Sequence, residues 1–212
     1  MIVAIDGPAA SGKGTLAKRL AAHYGLAHLD TGMLYRGVAR DMKAAGLPLD
    51  DPAEAEKAAR ALDPATLDDN GLRLRYMGEA ASVVAQFPQV RAALLDAQRN
   101  FALSRAGAIV EGRDIGTVIF PDADVKLFIM ADLRERARRR YQELTARGEE
   151  TTEEIVFADL EKRDRRDQGR NASPLRMAED AHLLDTTKLD IEAAFFAAVK
   201  LIDAAIGKVS QD

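Results

Sequence analysis

The chain has no cysteine, which excludes disulfides, thiol nucleophiles and zinc–thiolate sites together. Its three histidines, His23, His28 and His182, lack metal-ligand spacing and read as surface or packing residues. No window approaches the roughly 20 apolar residues that a membrane span needs. The opening MIVAI is apolar, with no basic region, long hydrophobic core or cleavage site behind it. The expectation is a cytoplasmic protein. Excess charge is missing too. Thirty basic residues against 34 acidic ones leave a net charge of −4, so neither nucleic acid nor an acidic membrane is an expected partner.

What remains is ordinary globular material. The 212 residues are 47% hydrophobic and 30% charged, enough for one domain that buries roughly 70% of its unfolded surface. Short apolar runs at residues 2–5, 26–30, 108–111, 125–130 and 181–185 are expected strands. Residues 13–24 are an expected helix, with Leu16, Leu20 and Tyr24 four apart and Gly25 as the stop. A second helix starts at Pro88, with Val90, Leu94 and Phe101 on its inner face. Another follows Asp190, with Phe195, Val199, Ile202 and Ile206 on one side. Alternating strands and helices predict a parallel sheet covered on both faces, with ligands at the carboxyl ends of the strands. Residues 46–78, with a turn expected at Asp69-Asn70-Gly71, and residues 147–174 break this alternation. They read as excursions from one core.

"IDGPAASGKGT" (residues 5–15) places Gly7-x4-Gly12-Lys13 between a strand and a helix, the pattern of a P-loop. Its glycines let backbone N–H groups turn inward, the helix N-terminus adds positive potential, and Lys13 reaches the β- and γ-phosphates. Gly14 follows the lysine where Ser or Thr is usual, and the hydroxyl comes one place later, at Thr15. Metal ligation by that hydroxyl is left open. "GKGT" resembles the small nucleoside monophosphate kinases. A guanine-reading NKxD is absent, which weighs against a nucleotide switch.

Three further stretches suggest a second, anionic substrate. In "LDTGMLYR" (residues 29–36), a cap at Thr31 would put Tyr35 and Arg36 one turn on, near the mouth of the cradle. In "VEGRDIGTVIFPDADVKLF" (residues 110–128), Arg113 and Asp114 follow a strand end between Gly112 and Gly116. In "EKRDRRDQGRN" (residues 161–171), Arg163, Arg166, Asp167 and Arg170 share a face if the helix persists past Gly169. A solvated helix would gain only about 0.2–0.5 kcal/mol per internal ion pair. Phosphoryl transfer gives a stronger reason for the arginines, because its transition state spreads negative charge over equatorial oxygens. A lid carrying them would also exclude water. Arg136 and Arg140, one turn apart in "DLRERARRRYQEL" (residues 132–144), could stack on adenine or reach phosphate.

With these pieces assembled the chain resembles the bacterial cytidylate kinases, which transfer phosphate from ATP to CMP and dCMP. The likeness rests on the stretches above and on "EAASVVAQFPQVRAALLDAQRNF", "KRDRRDQGRNASPL" and "LDTT", in order from Ile5 to Thr187. It implies a three-layer P-loop α/β fold with a five-stranded parallel sheet. The core would comprise residues 1–33, 105–146 and 175–212, with a CMP-binding excursion at 34–104 and a lid at 147–174. ATP, with Mg2+ as cofactor, would lie on Gly7, Pro8, Ala9, Ala10, Ser11, Gly12, Lys13, Gly14 and Thr15, with Arg136 and Arg140 nearby. No side chain is assigned as a direct metal ligand. Arg36, Arg113 and Arg170 would hold the CMP phosphate, beside Thr31 and Gly112. Ser82, Arg91 and Asp114 would read cytosine, and Arg163 and Asp167 would lie at the sugar. Catalysis would fall to Lys13, Arg113, Asp114, Arg163 and Arg170, in a monomer. Kinases of AMP, UMP or shikimate are the enzymatic alternatives. Two departures from the family stand out: Glu111 replaces the usual Asp, and the segment between Gly71 and Glu79 is shorter than in many relatives.

Overall fold

The computed structural model describes residues 1–67 and 71–207. Five strands, β1 (Ile2–Asp6), β2 (Ala27–Asp30), β3 (Ala108–Gly112), β4 (Val125–Met130) and β5 (His182–Asp185), form one sheet. Its order is β2-β3-β1-β4-β5, and every pairing is parallel. The central strand β1 is buried on both faces, as its unbroken apolar run requires. On one face α1 (Lys13–Tyr24) and α8 (Ile191–Ala205) bring Leu16, Leu20 and Ile202 onto Val3, Ile5, Ile109 and Leu127. On the other, Ala102 of α5 (Pro88–Leu103) and a π-helical turn (Ile115–Ile119) close over Ala4, Ala108 and Val110. The expected strands are present, with ends shifted by at most one residue.

The excursion at residues 46–78 proves helical. It contains α3 (Pro52–Ala61), a 3-10 turn (Pro64–Thr66) and the start of α4 (Arg75–Val84). With α2 (Thr31–Ala44) and α5 these build a separate core around Val38, Met42, Ala55, Leu72, Val84 and Leu94. The buried face of α3 consists of Ala55 and Ala59, so no large apolar side chain marks it in the sequence. Of the turn expected at Asp69-Asn70-Gly71, residues 69 and 70 lie outside the described residues, and Gly71 has φ +85°.

Thr31 is not the cap of α2. Asp30 is, accepting the Gly32 N–H on Oδ1 at 3.0 Å. Thr31 is the first helical residue and donates its hydroxyl to the Glu111 carbonyl at 2.8 Å. The neighbouring strand offers that hydroxyl a buried acceptor, and the carboxylate at the end of β2 takes over the helix terminus.

The last layer is α6 (Leu133–Ala146), capped by Asp132, and α7 (Glu153–Gly169), capped by Thr152. Ala137 and Leu144 of α6 and Val156 and Leu160 of α7 pack with Ala9 of the P-loop. Helix α7 runs unbroken to Gly169, so Arg163, Arg166 and Asp167 share a face. Arg170 is the first residue beyond it, extended at φ −68° and ψ 140°.

Candidate active site

Backbone geometry comes first. At Gly7, φ is +153° and an added Cβ would lie 2.0 Å from the Ile129 carbonyl oxygen, so no other residue fits there. Gly12, at φ +87°, opens α1 without a side-chain cap. The first-turn N–H groups of α1 are therefore free to meet an anion. The Lys13 Nζ folds over the loop and donates to the Pro8 carbonyl at 3.2 Å. Burial, reinforced by Arg113, pushes this amine down to about 7.

In front of the loop lies a cleft of about 600 Å3. Basic side chains outnumber carboxylates twelve to seven along it. Ala9 through Thr15 line one end, and Tyr35, Ser82, Arg91 and Asp114 line it as well. Gly7 and Pro8 lie in the layer behind. So does Arg136, contrary to the expectation that it reaches adenine or phosphate. It is 5% exposed, donates to the carbonyls of Ala131 (2.9 Å) and Ala9 (3.1 Å), and pairs with Asp164 at 2.6 Å. Two carbonyls and a carboxylate meet its guanidinium on the outer side of the loop. Arg140, one turn on, does line the cleft and donates to the Arg73 carbonyl at 2.7 Å.

Arg36 and Arg113, expected at the acceptor phosphate, lie close to Arg163, expected at the sugar. A Cβ added at Gly78 would sit 3.5 Å from Arg163 Nη1 and 3.7 Å from Arg36 Nη2, so both guanidinium groups crowd the same glycine. Arg113 donates to Asp167 at 2.9 Å, while Arg163 approaches the same carboxylate at 3.9 Å. Burial first, and neighbouring arginines second, push Arg36 down to about 9 and Arg163 to about 10. Both stay charged at neutral pH, as cations gathered with too few anions. Arg163 Nε and Arg170 Nη2 are buried with no hydrogen-bond partner among the described residues. A bound phosphate group would satisfy such donors.

Arg91 Nη2 is paired with Asp114 Oδ2, both side chains less than a tenth exposed. Asp114 leads into the π-helical turn, and that turn is held from below. Asp6, at the end of β1, accepts the N–H groups of Ile115 and Gly116 at 2.8 Å each. Burial pushes Asp6 up to about 6 despite these bonds. The sequence reading assigned Asp6 no role. Its only signal was its place between the first strand and the P-loop. Glu79 also went unassigned; it takes Arg166, grouped by its spacing with the arginines expected to serve phosphoryl transfer, and the pair joins α7 to α4 with Nη2–Oε1 at 2.7 Å.

Glu111 explains the unusual glycine after Lys13. Its carboxylate meets His28 Nε2 at 3.0 Å, accepting from the Nε2–H tautomer, and a Cβ on Gly14 would lie 3.3 Å from Oε1. The glycine makes room for the acid. Gly112 serves a similar end, since its Cβ would come 2.7 Å from the Thr31 hydroxyl.

A P-loop at the N-terminus of α1 and an arginine-lined cleft in front of it, on a five-stranded parallel sheet, define a P-loop phosphotransferase of the nucleoside monophosphate kinase class. Sequence relatives narrow the class. The family model described as cytidylate kinase matches residues 3–204. The chain is 58% identical over 204 residues to a cytidylate kinase of Rhodopseudomonas palustris strain BisA53, covering 96% of this chain and 97% of that one. It is 57% identical over 207 residues to a cytidylate kinase of Brucella ovis, covering 98% and 94%. The chain belongs to the cytidylate kinase family. Among solved structures, an uncharacterized protein from Eubacterium ventriosum aligns over 96% of this chain and 99% of its own with a TM-score of 0.56. At 18% identity that likeness concerns the fold alone.

Proposed function

We propose that the chain transfers the γ-phosphoryl group of ATP to CMP and dCMP, with ATP on the P-loop and the acceptor under the arginines. The observation that carries this reading is the buried Arg91–Asp114 pair at the cleft. Cytosine offers an N4 amino donor to a carboxylate and O2/N3 acceptors to a guanidinium. Uracil would set its O4 against Asp114, acceptor against acceptor, and a buried site rejects such a mismatch strongly. Ser82 adds a third polar contact to the base, and Arg163 and Asp167 reach the sugar. Arg36, Arg113 and Arg170 hold the acceptor phosphate beside Thr31 and Gly112.

The acceptor phosphate is already an anionic nucleophile, so the site needs no strong general base. Its task is to position two anions in line and neutralise the transferred group. Lys13 and the P-loop N–H groups act from the donor side, and Arg113, Arg163 and Arg170 from the acceptor side. Arg140 is placed for the nucleotide moiety of ATP. Residues 34–104 carry the acceptor, and residues 147–174 act as a lid over the core.

The donor set fits Mg2+ held mainly by nucleotide. The Thr15 hydroxyl is exposed on the cleft, and the Asp30 and Glu111 carboxylates line the same wall. No group of three metal-binding side chains occurs among the described residues. Magnesium commonly binds through phosphates and one or two protein oxygens; when bound, it would neutralise charge on the transferring phosphates. No helix among the described residues is long and apolar enough to cross a membrane.

The test is ADP release from ATP–Mg2+ with CMP, dCMP, UMP, AMP or shikimate added singly. Strong stimulation by CMP and dCMP is expected. Stimulation by another acceptor alone would overturn the roles of Ser82, Arg91 and Asp114.

A further inference from the structure

Ser82 lies on α4 and is 3% exposed. Its hydroxyl oxygen accepts a hydrogen bond at 2.8 Å from Nη1 of Arg166, on the lid helix α7. The same guanidinium forks onto Glu79, also on α4, with Nη1 to Oε2 at 3.1 Å and Nη2 to Oε1 at 2.7 Å. Lys162 supports Glu79 from the lid at 3.2 Å. A serine within a helix often donates to the carbonyl one turn back. Among the described residues Ser82 makes no such bond, and Arg166 is its partner.

We propose that Arg166 is a positioning residue that fixes the Ser82 hydroxyl as a donor toward the base, and so makes base selection conditional on lid closure. This rests on the cytosine reading of Ser82. Arginine carries five donors and no acceptor and does not deprotonate. Contact with it occupies one of the two lone pairs of Ser82 and favours the rotamer whose hydroxyl proton points away from the lid, toward the cleft that Ser82 lines. With the Arg91 guanidinium on O2, a free hydroxyl is ambivalent: it could donate to cytosine N3 or accept from uracil N3–H. Biased toward donating, it matches the acceptor edge of cytosine and disfavours the N3–H of uracil. The bias exists only while α7 lies on α4, because Arg166 comes from one helix and Ser82 and Glu79 from the other. Glu79 holds the guanidinium in register through two parallel bonds, which a single-point cation could not do. A side chain on the lid thereby takes part in reading the base without touching it.

The experiment measures kcat and KM with CMP and with UMP for the full chain and for Arg166→Met, Ser82→Ala and the double variant, with thermal midpoints recorded alongside. The expected result is that Arg166→Met lowers the CMP-to-UMP ratio of kcat/KM by about 10-fold or more. In the Ser82→Ala background the same change should leave the ratio unmoved. Glu79→Gln, which weakens the fork without altering either partner, should shift the ratio the same way by less. Equal losses for CMP and UMP would reduce Arg166 to a structural tie and overturn its role. So would an undiminished effect of Arg166→Met on the ratio in the absence of the Ser82 hydroxyl. A wild-type ratio near one would instead overturn the cytosine reading itself, and this inference with it. A large wild-type ratio that survives Arg166→Met would overturn the inference alone.

Discussion

Arg113 donates from Nε to Oδ2 of Asp167 at 2.9 Å, joining the loop after β3 to the lid helix. Burial opposes the ionisation of Asp167, but Arg113, Arg163 and Arg170 together outweigh it and hold the carboxyl below its ordinary range. A depressed carboxyl pKa stabilises the fold at neutral pH, and that stability is lost as pH falls through the folded value. Replacing Asp167 with Asn should therefore destabilise the protein by about 3 kcal/mol near pH 7. Denaturant titrations should show the gap to wild type narrowing from about pH 5 toward pH 3. A constant gap would exclude the charge as its cause.

Lys13 gives a proton-linkage prediction. Its amine is pushed down to about 7 in the ligand-free protein, and a neighbouring phosphate favours the charged form. ATP binding near pH 8 should take up close to one proton, and near pH 6 almost none. Calorimetry in buffers of different ionisation enthalpy would read this directly. Apparent affinity should weaken as pH rises above the free value. Lys13→Met should abolish the uptake and lower kcat by about 1,000-fold or more.

Asp6 runs the other way. Its carboxyl is raised to about 6, so between about pH 4 and 6 the folded state binds more protons than the unfolded one. Stability should fall across that window by about 3 kcal/mol as pH rises. Asp6→Asn should lack that slope. With one acceptor oxygen instead of two, it should also loosen the turn behind Asp114 and lower kcat/KM for CMP by about 10-fold. Urea unfolding at two pH values and CMP kinetics measure the two effects separately.

Glu111 and Gly14 should be coupled. Gly14→Ala brings a Cβ to 3.3 Å from Glu111 Oε1. Glu111→Asp withdraws that oxygen by one methylene, giving up the His28 contact at 3.0 Å. The second change should cost about 1 kcal/mol alone and relieve the first, with a favourable coupling above about 0.5 kcal/mol in a double-mutant cycle. Strict additivity would mean that the acid and the glycine do not share space.

The P-loop and the strands were legible because their signals are local. Gly7, Gly12 and Lys13 sit at fixed spacing after an apolar run, and β1 and β3 are short runs buried on both faces. Helix α3 was hidden by its alanine face. The fate of Arg136 was not readable either. Arg136 and Arg140 present the same chemistry one turn apart, and only the packing of α6 against the P-loop turns one inward behind Ala9 and the other toward the cleft.

By itself the sequence determined the ligand class, the strand–loop–helix unit that binds it and the arginine supply for a second anion. Backbone conformation and residue chemistry at close spacing dictate those features. Tertiary structure alone decided which charges meet. The pairs Arg91–Asp114, Arg113–Asp167 and Arg166–Glu79 bridge segments far apart in sequence. Each depends on how the excursion and the lid close over the sheet, because an ion pair is set by separation and burial in space, which no local pattern encodes.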